Sequence, residues 1–201
     1  MRQSQRRASQ LIICAAALLS VIPACEPARP DGTPAETTGA MTMREAEDPA
    51  MQQRSECVNP IESYAVEYPA GWHVNDAEIL GPCSLFDPDP IQVPRDSEVP
   101  IDMAIIIGFE PVPIATLGGE VIGRRAIASE RTTVDGREAI RIEGETTGEG
   151  LHPPGIRSYE YFVDLGDTTM VAATYDVGAL DFRRKNRILD SMMATFDFRQ
   201  P

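Results

Sequence analysis

The chain has very little with which to do acid–base or metal chemistry. Its 201 residues hold two histidines, His73 and His152, and four cysteines in no Cys-x-x-Cys arrangement. The patterns G-x-S-x-G and G-x-x-x-x-G-K are absent, which removes the exposed serine of a nucleophile elbow and the loop that cradles phosphates. Positive charge is scarce too. Lys and Arg number 18 against 31 Asp and Glu, a net charge of −13, so wrapping a phosphate backbone is a poor fit. The 17 prolines and 15 glycines are dispersed, which excludes collagen-like and low-complexity chains, and no internal repeat suggests a solenoid or propeller. No long apolar run is present either. Leu11 to Ile22 spans about 18 Å as a helix, short of the roughly 30 Å hydrocarbon core.

That short run sits in an informative context. Arg2, Arg6 and Arg7 precede it with no acid before Glu26, which is the layout of a secretory leader. Ile22-Pro23-Ala24-Cys25 then resembles a bacterial lipobox. The resemblance implies removal of residues 1–24 and lipidation of Cys25, with acyl chains such as palmitate anchoring the protein to a bacterial cell membrane; ordinary cleavage near Ala24 is the alternative. Two or more acyl chains hold stably where one binds marginally. Losing the three leader arginines leaves 15 basic against 31 acidic residues, or −16.

Residues 25–53 are rich in proline and acid and hold no aromatic residue, so they are expected to be a disordered, lipid-anchored linker. The globular domain is expected over 54–201. With Cys14 removed and Cys25 lipidated, Cys57 and Cys83 are left as a pair, which in an oxidising compartment forms a disulfide. A reactive pair is the sharper alternative; zinc is disfavoured because no second Cys or His neighbours either one.

Within the domain the apolar pattern reads as strands first and a helix last. Tyr64, Val66 and Tyr68 alternate, and Pro69 to Gly71 turns the chain into Trp72-His73-Val74. Met103 to Ile107 is continuously apolar, as in a covered central strand. Asp135-Gly136 and Gly166-Asp167 each sit between strand-like runs and predict hairpins. Between Asp176 and Phe198, residues Phe182, Ile188, Leu189, Met192, Met193 and Phe196 share one helical arc, with Lys185 in the same arc and expected to snorkel. The fold class is α+β, an antiparallel sheet with an amphipathic C-terminal helix.

Tyr64-x-Val66-x-Tyr68-Pro69-x-Gly71-Trp72, followed by meandering strands and that helix, resembles the opening of the PsbP-like α/β/α sandwich domains. The family includes a lumenal photosystem II subunit, a nuclear Ran-binding protein and bacterial lipoproteins. The resemblance implies helices flanking the sheet and binding rather than catalysis, and it brings no catalytic residues. The Cys57 and Cys83 pair and the insert from Gly81 to Pro100 depart from the general family pattern.

Other candidates each carry a plain reading beside a functional one. His73 reads as a satisfied structural histidine and His152 as an exposed loop residue; either is the base that a hydrolase would need. Asp87-Pro-Asp89-Pro, with Asp96 and Glu98, is the best candidate for calcium, against surface-loop acids as the plain reading. Glu143, Glu145 and Glu149 read as a solvated run. Arg183, Arg184 and Arg187, beside Lys185, are the candidate docking face for anionic lipid or an acidic partner, against an ordinary polar helix face as the plain reading. The expected function is a lipid-anchored, extracytoplasmic, non-catalytic protein without cofactor or metal, binding an envelope protein or component. An envelope hydrolase and a small-ligand or calcium sensor are the alternatives.

Overall fold

Alternation of inward apolar residues, ended by proline or glycine turns, divides the chain into ten strands and one α-helix among its described residues. The computed structural model describes residues 48–76, 80–92, 102–117, 123–150 and 152–199, all in the unit Met43–Pro201. The leader, Cys25 and nearly all of the expected linker lie outside the described residues.

β1 (Arg54–Asn59) and β10 (Asp197–Phe198) flank β2 (Tyr64–Pro69) in a three-stranded antiparallel sheet. The other seven strands are β3 (His73–Val74), β4 (Leu85–Asp87), β5 (Ile105–Glu110), β6 (Arg124–Val134), β7 (Arg137–Thr146), β8 (Arg157–Asp164) and β9 (Thr169–Tyr175). They form one antiparallel sheet in the order β3-β4-β5-β9-β8-β7-β6. Asp135 and Gly136 both adopt the left-handed backbone region, with φ of 47° and 73°, which a two-residue hairpin between twisted strands requires. They join β6 to β7 with Val134 opposite Arg137. The apolar run at Met103 to Ile107 enters β5, where Ile105 and Ile107 are buried.

α1 (Phe182–Met193) starts at Asp181, whose carboxylate accepts the Arg184 backbone N–H at 2.9 Å as an N-cap. Its buried face is Phe182, Lys185, Ile188, Leu189, Met192 and Met193, each apolar member contributing on the order of 1.5–3 kcal/mol. Phe196 lies beyond the helix end and is still buried, its ring 4.9 Å from that of Tyr64. The helix and the small sheet cover the face of the large sheet that presents Ile105, Ile107, Tyr161, Val163, Met170 and Ala172.

Three expectations need correction. First, the described residues contain one α-helix, packed on one face; the second helical layer implied by an α/β/α sandwich is not found among them. Second, the folded region does not begin at 54. Asp48 caps a 3-10 turn (Pro49–Gln52) by accepting the Ala50 N–H at 3.0 Å, and Met51 is fully buried in the core. A polar composition concealed one anchoring methionine. Third, Lys185 does not snorkel. Its amine is fully buried and donates to the carbonyls of Tyr175 and Val177, the latter at 2.7 Å.

Candidate functional site

The two cysteines left by the sequence reading are bonded. Cys57 in β1 meets Cys83 before β4 with Sγ–Sγ 1.99 Å and Cα–Cα 5.9 Å. The Tyr64 hydroxyl donates to the Cys83 carbonyl at 2.8 Å and Asn59 Nδ2 to Pro82 O at 2.8 Å. The bond therefore fastens the small sheet to the short strands at one edge of the large one. Burial pushes the Tyr64 phenol up to about 12, so it remains a donor throughout the physiological range.

The cations of α1 are not all free. Arg184 Nε and an Arg187 guanidinium nitrogen each stand 3.4 Å from the buried Asp48 carboxylate. They clamp the start of the folded chain onto the helix. Arg183 is exposed and pairs with no acid among the described residues.

Asp87 and Asp89 do share a cavity, of about 200 Å³, with Asp102 and Lys185. It is poorly suited to a cation. Asp87 is occupied in accepting the Asp89 N–H at 2.9 Å and the Ala104 N–H at 2.8 Å. Lys185 adds a positive charge to the wall. Burial lowers the Lys185 pKa, opposed by the charges of Asp176, Asp87 and Asp181. No group of three or more His, Cys, Asp or Glu among the described residues is arranged to hold a metal ion. Asp96 and Glu98 lie outside the described residues.

The histidines exchange their expected roles. His73 is exposed on β3, while His152 is only 4% exposed, its ring centroid 4.0 Å from that of Tyr175. Neither His152 nitrogen has a hydrogen-bond partner. Burial lowers its pKa first, and the charges of Arg124 and Lys185 add to that, so the ring is held neutral. Beside it, Arg124 donates to the Tyr175 hydroxyl at 2.5 Å and lies 2.6 Å from the fully buried Glu160 carboxylate. At that distance the two form an ion pair. Burial raises the Glu160 pKa and Arg124 opposes it. Ser158 is buried nearby in the same strand, but no hydrogen bond joins it to His152. A base aligned on a nucleophile is not assembled here.

On the helix-facing side, Asp190 accepts from the hydroxyls of Tyr159 and Tyr161 at 2.7 and 2.5 Å, docking α1 on β8. Glu143 and Glu145 pair with Arg157 at 2.5 Å and Arg125 at 3.0 Å across adjacent strands, so two of the three acids in that run brace the sheet. Glu149 is exposed.

One open site escaped the sequence reading. Trp72 is half-buried, packed against the core, and forms part of the wall of a cavity of about 370 Å³. Pro49, Gln52 and Gln53 approach from the 3-10 turn, and Pro69 and Gly71 from the β2–β3 connection. The Ala70 N–H to Gln53 O and Trp72 N–H to Pro69 O bonds, both 2.9 Å, hold the two walls. The sequence signal was present as the Pro-Ala-Gly-Trp turn; its opposite wall was hidden in the presumed linker.

No known family model matches the chain, and no curated protein matches it. Among solved structures it is similar to cyanobacterial PsbP (CyanoP) from Synechocystis sp. PCC 6803, at 13% identity and TM-score 0.41, covering 72% of this chain and 92% of that one. It is similar also to a protein from Bacteroides thetaiotaomicron VPI-5482, at 13% identity and TM-score 0.41, covering 74% of this chain and 49% of that one. Likeness at this level assigns neither family nor activity.

Proposed function

We propose that this is a bacterial lipoprotein of PsbP-like type, anchored through lipidated Cys25, whose extracytoplasmic domain binds an envelope component and catalyses no reaction. The observation that carries the binding reading is the chemistry of the Trp72 cavity: none of its lining side chains titrates. Binding needs shape and hydrogen-bonding groups, whereas acid–base catalysis needs a proton carrier. Two titratable groups elsewhere are engaged in packing: half-buried Asp190 accepts from Tyr159 and Tyr161, and buried Lys185 donates to two carbonyls. The Cys57–Cys83 bond supports an oxidising compartment, and among the described residues no helix is long and apolar enough to cross a membrane.

Twenty-two residues, Glu26 to Glu47, separate Cys25 from Asp48, which begins the turn that walls the Trp72 cavity, so the anchor attaches to the domain at that end. Arg183 and the outer sides of Arg184 and Arg187 meet anionic headgroups in this arrangement. Palmitate labelling with membrane fractionation tests the anchor: wild type takes up label and sediments with membranes, and Cys25→Ala does neither. Unlabelled wild type, or a Cys25→Ala protein that sediments like wild type, would refute it. A photo-crosslinker at Gln52 tests the binding end. It is expected to give a discrete adduct in membranes that a probe at Glu130, on the far edge strand, does not give; equal adducts from both positions would overturn the assignment.

A further inference from the structure

We propose that the Trp72 cavity binds a neutral saccharide. This rests on reading the cavity as the domain's binding site and names the ligand class. The chain is 24% charged, yet no charged side chain lines this cavity. A phosphate, carboxylate or polyamine would arrive there without a counter-charge and lose hydration for nothing in return. A purely apolar ligand would use the indole face but none of the hydrogen-bonding capacity of the exposed Gln52 and Gln53 carboxamides beside it. A sugar ring uses both and brings no charge. Its C–H face packs on the indole, and its hydroxyls serve as donor and acceptor to amide groups.

The hydrogen-bonding groups on offer are the side chains. The Trp72 indole N–H and the carboxamides of Gln52 and Gln53 have no protein partner among the described residues. The neighbouring carbonyls of Gln53 and Pro69 already accept bonds from Ala70 and Trp72. A carboxamide matches a hydroxyl well because it presents both a donor and an acceptor. The walls are also held before any ligand arrives: Met51 is fully buried one residue from Gln52, and Asp48 is clamped by Arg184 and Arg187. Such preorganisation reduces the ordering cost of binding. The volume, about 370 Å³, suits a ligand of one or two sugar rings.

Trp72 is the sole tryptophan, so fluorescence of the full chain in detergent reports from this cavity alone. Titration with N-acetylglucosamine trimer and with maltotriose is expected to give a saturable change with at least one of them. The Gln52→Ala/Gln53→Ala variant should weaken that response about tenfold or more. Gly71→Leu should abolish it while leaving the melting temperature unchanged, since a Cβ at Gly71 meets no atom within 4 Å. No saturable change up to tens of millimolar, or a response indifferent to both variants, would overturn the proposal. A response to a proline-rich decapeptide alone would also overturn the saccharide assignment, while preserving the cavity as a binding site. The anchor is judged separately by palmitate uptake.

Discussion

Replacing Arg124 by leucine isolates a buried charge whose cost can be worked out from its surroundings. Glu160 is fully buried in β8, and Arg124, with its side chain 23% exposed, is 2.6 Å away. Burial pushes the Glu160 carboxyl upward and Arg124 holds it back. Removing the guanidinium leaves either an unpaired buried carboxylate or a carboxyl that must take up a proton at neutral pH. Breaking a buried pair from one side costs about 3–5 kcal/mol, which in a domain near 150 residues lowers Tm by roughly 10 °C or more. The pH dependence has a definite sign. A carboxyl whose folded pKa lies above its unfolded value binds more protons folded than unfolded, so its contribution to stability falls as pH rises through that interval. Arg124→Leu widens the interval upward, and its penalty should grow between pH 5 and pH 8. Glu160→Gln placed on top of Arg124→Leu should recover most of the loss at pH 8. Urea unfolding at the two pH values measures all of this. A loss under about 1 kcal/mol, a penalty independent of pH, or no recovery in the double variant would show that Arg124 is not neutralising Glu160.

Three other perturbations follow from the same structure. Reducing Cys57–Cys83 opens a loop of 26-residue separation and should cost about 3.5 kcal/mol, read as a Tm drop in dithiothreitol that a Cys57→Ser/Cys83→Ser variant no longer shows. His152→Phe should flatten the stability profile below about pH 6.5, because a histidine with lowered folded pKa stabilises above its unfolded pKa and loses that contribution as pH falls; an unchanged acid limb in thermal melts would refute the buried-neutral assignment. Lys185→Met keeps the volume but strands the Tyr175 and Val177 carbonyls, so denaturant titration should show a loss of about 2–4 kcal/mol; a neutral substitution would mean that those carbonyls find other donors.

Lys185 also shows where reading one chain stops short. Its place on the apolar arc of α1 follows from helical period alone, and so do Ile188, Leu189 and Met192. What satisfies its amine does not, because the acceptors are carbonyls where β9 ends, and period says nothing about which strand end lies beneath a helix. Local chemistry gave the β6–β7 hairpin for the same kind of reason: Asp135 and Gly136 tolerate the left-handed backbone that two-residue turns demand. The pairing of β5 with β9 joins segments some sixty residues apart, and no local preference encodes it. His152 failed in the opposite direction. Gly148, Glu149 and Gly150 are exposed, as a polar loop should be, yet the next described residue along turns inward because the Tyr175 ring offers a flat apolar partner. The site at Trp72 was missed through the same weakness at a boundary. Composition averages a window, and Asp48 to Gln53 looks like linker in any window that includes the acids and prolines before it. Yet Met51 alone supplies roughly 1.5–3 kcal/mol of burial, enough with the Asp48 clamp to draw Gln52 and Gln53 onto the domain. A binding wall made of two residues beside one buried methionine lies below the resolution of composition and is decided by packing.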